Sequence, residues 1–199
     1  MEKIKLSKNE LKRQKDALKR YLRYLPTLQL KKQQLQFELR RIESLIAERV
    51  EELKAQVAEL KRWLAVWGDD FELDQVIQIK EIREGQNNIA GIDVPVFKEV
   101  VFGETLYDLF WTPLWIDKAV QVFKILAILQ AERKILERQT AILNEELRVT
   151  SQRINLFEKI KIPETRENIR LIQIFLGDQQ IAQVVRGKIA KNKLLRRAK

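Results

Sequence analysis

Apolar residues recur at three- and four-residue steps along two long stretches of this chain, and a segment of different rhythm separates them. Along the first stretch, Leu11, Leu18, Leu22 and Leu25 are followed, beyond Pro26, by Leu35, Leu39, Ile42, Ile46, Leu53, Val57, Leu60 and Leu64. Such spacing draws one apolar stripe down the side of a helix. Ser7-Lys-Asn-Glu10 has the spacing of a capping box and predicts the helix start, and Gly68-Asp-Asp predicts its end. About 60 residues at 1.5 Å each would make a rod of roughly 90 Å. The second stripe opens at Thr112-Pro113, a cap followed by a proline suited to the first helical turn. It runs through Val122, Leu126, Leu129, Leu136, Leu143, Leu147, Ile154 and Phe157, crosses Pro163, and resumes at Ile169, Ile172, Val185 and Ile189.

A narrow stripe on so long a helix cannot bury itself, so the two are expected to pack on each other. The expected fold is mainly α: a long antiparallel two-helix coiled coil formed by the N- and C-terminal helices. Residues 1–68 would be one shaft helix, 69–111 a middle segment, and 112–199 the second shaft helix with a basic tip. Within the middle segment VIQIKEI alternates apolar and polar residues, EGQNN supplies turn formers, and IAGIDVPVFKEVVF is rich in Val, Ile and Phe. That pattern predicts a β-hairpin, with Pro95 limiting central pairing and Asp93 serving turn geometry.

An interior proline removes a backbone hydrogen bond and costs roughly 3 kcal/mol. If Leu64 to Trp67 lie beside Val122 to Leu126, paired residue numbers sum to about 190, and Pro26 falls level with Pro163. Both helices would then bend at one height, and the chain beyond about residue 188 would project as a single helix. The alternative is that each proline breaks its helix, giving a bundle of shorter ones. Gly177 either admits a close neighbour or is simply tolerated.

Composition narrows the chemistry. With 6 glycines and 4 prolines in 199 residues there is little material for turns, and 45% hydrophobic with 33% charged residues suits long amphipathic helices. Cysteine and histidine are both missing, which removes disulfides, thiolate or imidazole metal sites, and cysteine or histidine catalysis. The start lacks the apolar core of a signal peptide, and AVQVFKILAIL is too short to span a bilayer, so a soluble cytoplasmic protein is expected. Gly187-Lys188 is followed by Ile189 and lacks the glycines of a phosphate loop. The pairs Glu51, Glu52 and Glu145, Glu146 read as solvated helix faces. No catalytic residue, cofactor or metal is expected.

The net charge of +10 sits at the ends: residues 1–20 carry +5 and residues 186–199 carry +7, leaving −2 between. A basic coiled-coil end also suits a nucleic-acid-binding or scaffold protein, because clustered Lys and Arg neutralise phosphates. Against that, the last 23 residues hold no aromatic side chain on which a base could stack. A polybasic helix on a membrane surface is a third reading.

Several strings are long and unusual. LSKNELKRQKDAL and YLPTLQLKKQQL near the start, NIAGIDVPVF and YDLFWTPLWID in the middle, and TSQRINLFEKIKIPETRENIR with FLGDQQIAQVVRGKIAK near the end resemble the family of D subunits of V-type (vacuolar and archaeal-type) ATPases/ATP synthases. The likeness runs through the whole chain in order. It implies a non-catalytic rotor shaft standing inside a ring of A and B subunits, carrying the small F subunit on its side. At its foot it would engage the funnel-shaped subunit on the membrane rotor ring, placing the chain at the membrane periphery. Both termini would lie inside the ring and the middle segment toward the foot. On this reading Arg186, Lys188, Lys191, Lys193, Arg196 and Arg197 face the ring wall, or else merely favour the helix dipole as solvated cations. Phe110, Trp111 and Trp115 would seat a partner at the foot or close the core there, with Trp63 and Trp67 in the same local core. Phe157 is expected to pack in the stripe.

Overall fold

A computed structural model describes residues 4–63, 77–103 and 115–197. The fold is mainly helical with one small antiparallel hairpin, as the hydrophobic pattern requires. Helix α1 runs Lys8–Trp63, strands β1 and β2 run Ile79–Ile89 and Ile92–Phe102, and helix α2 runs Ile116–Asn155. A π-turn, Leu156–Lys161, then leads into helix α3, Ile162–Arg197. The expected boundaries at Leu64 to Asp70 and at Thr112-Pro113 lie outside the described residues. The start of α1 is capped as its sequence predicts: the Glu10 N–H donates to Ser7 Oγ at 3.3 Å, and the Leu11 N–H to Ser7 O at 2.9 Å.

Two compact units divide the chain. One is Lys32–Arg148, and the other joins Met1–Lys31 with Val149–Lys199. In the first, Leu35, Leu39 and Ile42 of α1 form a core with Leu143 of α2 and Val94 of β2, with Ile46, Leu136 and Leu147 packed around it. Leu35 and Leu143 are fully buried. Arg49 Nε meets Glu132 Oε2 across the two helices at 2.8 Å. In the second unit the rings of Tyr21 and Phe157 lie 5.2 Å apart at 40°, placing Phe157 in the stripe.

These pairs correct the expected register. Numbers of facing residues sum to about 180 rather than about 190. A stripe with three- and four-residue steps still faces its partner after a slip of seven plus three, so apolar spacing alone cannot separate the two alignments; a charged pair such as Arg49 and Glu132 can. The correction also separates the prolines. Tyr21 faces Phe157, so Pro26 lies nearer the level of the end of α2, and Pro163 lies opposite the residues before Tyr21. Each proline sits in helix, and neither breaks it as the bundle alternative required.

The hairpin differs from its expectation in one respect. EGQNN forms the end of β1, and the turn is Ala90-Gly91, both in the left-handed region with φ of 52° and 80°. Two such residues make the type I′ geometry that suits the twist of a two-residue hairpin. Asn88 does the local work: its Oδ1 accepts from the Gly91 N–H at 3.0 Å and its Nδ2 donates to Asp93 Oδ1 at 2.7 Å. Asp93 thus serves the turn. Pro95 pairs with Gln86 in the register of this two-stranded sheet, where every strand is an edge and its missing N–H is tolerated.

Candidate functional site

Among the described residues no group of three or more Asp, Glu, His or Cys could hold a metal ion, and no helix is long and apolar enough to cross a membrane. Glu145 is hydrogen-bonded by Arg148 through 2.6 and 2.9 Å contacts, which hold its carboxyl below the ordinary value. It is the salt-bridged surface carboxylate its position suggested. The exposed ends and flanks of the helices are the candidate surfaces.

The free end of α3 is the clearest of them. Ile172 is fully buried, but Ile174 is 50% exposed and Ile181 65%, and every described residue from Gln183 to Arg196 is exposed. The partner helix explains the change. With facing numbers summing to about 180, the start of α1 at Lys8 reaches only to about Ile172, and no described residue of α1 lies opposite the rest of α3. The unpartnered stretch thus begins about fifteen residues earlier than expected from the sequence. It carries Arg186, Lys188, Lys191, Lys193 and Arg196 in the open, with no ion pair among the described residues. Arg197 is the last residue of α3, and its side chain lies outside the described part. No acidic residue follows Asp178. Val184, Val185, Ile189, Leu194 and Leu195 are exposed between the cations, so this end offers apolar grip as well as charge.

The aromatic cluster is only partly described. Phe110, Trp111 and Trp67 lie outside the described residues, as does the side chain of Trp63. Trp115 packs against Ile116 and Val120, with Ile77 alongside, and Lys124 Nζ sits 5.6 Å from the Phe102 ring centre. The start of α2 and the base of the hairpin are therefore joined by the cation–π contact of Lys124 with Phe102.

A second surface was not legible in the sequence. The hairpin turn does not stand off the helices but returns along them, with Val94 buried among Leu35, Leu39, Ile42 and Leu143 and with Ile89, Ala90 and Ile92 packed beside it. That site is more than 20 residues, or roughly 30 Å of helix, from the end of α1. Gln139, only 6% exposed, donates its Nε2 to Pro95 O at 2.5 Å, and Arg138 Nη1 reaches Glu84 Oε1 at 2.6 Å. Counting out from the turn, Gln86 and Pro95 form a pair whose backbone groups point away from each other, so the Pro95 carbonyl can take the Gln139 amide and its missing N–H costs the ladder nothing. Phe37, 68% exposed, then overhangs a groove between α1 and the turn, lined also by Gln33, Arg41 and Asn88. Gln139 at an inward stripe position was the available signal, since a buried amide must find a partner.

A profile of the family of ATP synthase D subunits matches residues 10–192. The V-type ATP synthase D subunit of Borreliella burgdorferi is 45% identical over 199 residues, covering 99% of this chain and 98% of its own. The V-type ATP synthase D subunits of Chlamydia felis and Chlamydia caviae are 36% and 35% identical, each aligned over 98% of this chain and 95% of their own. Nearly the whole chain thus matches proteins of one kind, and it belongs to the family of ATP synthase D subunits.

Proposed function

We propose that this chain is the central rotor shaft of a V-type ATP synthase/ATPase, a non-catalytic part that carries torque between the A/B ring and the membrane rotor ring. In doing so it couples ATP synthesis or hydrolysis to proton or sodium transport. The observation that carries the reading is the family match along nearly the whole chain, together with a helix end that has no partner among the described residues. That end, from about Ile174 to Arg196, enters the ring; its cations and exposed Val, Ile and Leu meet the inner wall. The small F subunit lies over exposed apolar residues on the flank, and the funnel-shaped subunit takes the foot, where Phe110, Trp111 and Trp115 form the seat. Pro26 and Pro163 bend the shaft at two separate heights, making it asymmetric toward the three catalytic sites.

Coupling follows from that asymmetry. A shaft that contacts three ring sites differently makes its angle and their occupancy depend on one another, and such coupling is reciprocal. The test is removal of residues 186–199 in the assembled complex. The shaft reading expects ATP hydrolysis to continue at a reduced rate while ATP-driven ion transport falls several-fold more. Equal hydrolysis and transport after truncation would contradict the ring-facing role.

A further inference from the structure

The two paired strands of the second unit do not keep the same count. On α1 the inward residues recur without a break at Leu11, Gln14, Leu18, Tyr21, Leu25 and Leu28, straight past Pro26. On the other strand Thr150, Ile154 and Phe157 follow steps of four and three, but the next inward residue is Ile162, five further on. Thr165, Ile169 and Ile172 then resume at three, four and three. One residue is surplus.

The π-turn Leu156–Lys161 absorbs it. The Ile162 N–H donates to Phe157 O, a five-residue step in place of four. Pro163 stands directly after the turn, where it has no N–H to give and where its ring would press on the carbonyl four residues back in an ordinary α-helix. A widened turn before it relieves that clash, and Thr165 Oγ1 closes the far side by donating to Lys161 O at 2.6 Å. Inside, Phe157 rests on Tyr21; outside, Leu156 and Ile160 are 40% and 54% exposed. The turn is held on one side only.

We propose that this π-turn is a torsional joint in the C-terminal strand. Pro163 pins the surplus residue in the turn beside Tyr21, and the widened turn lets α3 rotate relative to α2 across residues 156–161. The idea rests on the shaft reading, in which a strand that carries torque gains from one defined place to yield.

The test is deletion of Glu158 combined with Pro163→Ala, which restores a seven-residue step from Ile154 to the next inward position. Deletion of Arg20 on α1 is the control, because that stripe has no surplus residue to lose. The joint predicts that the double variant melts at or above the parent, whereas the Arg20 deletion lowers the midpoint by about 10 °C. It also predicts that amide exchange across residues 155–162 slows about tenfold, and that ATP hydrolysis by the assembled complex falls several-fold with the variant still co-purifying. A double variant that melts as low as the control overturns the proposal, and so does unchanged hydrolysis in an intact complex. Failure of the unaltered chain to co-purify with ring subunits would overturn the shaft reading itself, and the joint with it.

Discussion

Ala90 and Gly91 show how little sequence is needed to aim a whole element. Both take positive φ, and an added Cβ on Gly91 would meet nothing within 4 Å, so the demand there is conformational and not steric. Gly91→Ala should therefore destabilise the chain by about 1 kcal/mol, read as a lower midpoint in urea, with the hairpin still clasped through Gln139 and Pro95. A loss of several kcal/mol would mean that the turn carries more than its own geometry. The turn was misplaced onto EGQNN because asparagine is a turn former in general, whereas here Asn87 and Asn88 stay in the paired strand beside the turn. The bend itself is made by the backbone of Ala90-Gly91, and Asn88 braces it with its side chain from within β1.

Helix α1 was legible almost to its first residue because a capping box and an uninterrupted heptad agree on one answer. Its register on α2 was not. Leucine stripes are self-similar, and only polar residues at inward positions tell one alignment from another. Arg49 is such a residue. Its guanidinium is held above the ordinary arginine value chiefly by the hydrogen bond from its side chain to Glu52, against desolvation and with Glu132 adding to it. With side-chain exposures of 29% and 25%, Arg49 and Glu132 should show a coupling of about 0.5–1 kcal/mol in a double-mutant cycle. Zero coupling would return the register to the apolar residues alone. Along the outer helix faces, Glu145 and Glu167 lie below the usual carboxylate value because Arg148 and Arg170 hydrogen-bond them. A depressed carboxyl stabilises the folded state above its unfolded value and loses that contribution as the pH falls through the lower, folded one. Helix content should thus hold from neutrality to about pH 5 and decline below 4.5, and the decline should shrink in Glu145→Gln/Glu167→Gln. The same decline in that variant would place the acid sensitivity elsewhere.

At the scale of the molecule, the mainly helical fold with a central hairpin could be read from periodicity because long stripes leave few ways to be buried. The bare end of α3 could be read only in part. Its charge was plain in the sequence, but its length depended on the register, and the ten-residue change of register together with the start of α1 at Lys8 moved its beginning from about 188 to about 173. The central claim is that the two long helices turn together as one shaft within a ring. The native chain has no cysteine, so Tyr21→Cys with Phe157→Cys gives a unique pair where two rings now lie 5.2 Å apart. Bridging them with a short thiol cross-linker in the assembled complex and measuring ATP hydrolysis tests the claim most directly. The account predicts rapid closure within one chain and a hydrolysis rate within about twofold of the unbridged complex, because paired strands that rotate as a unit lose nothing by being joined. Failure to bridge, or a rate that collapses on bridging and returns when the strands are unjoined, would contradict it.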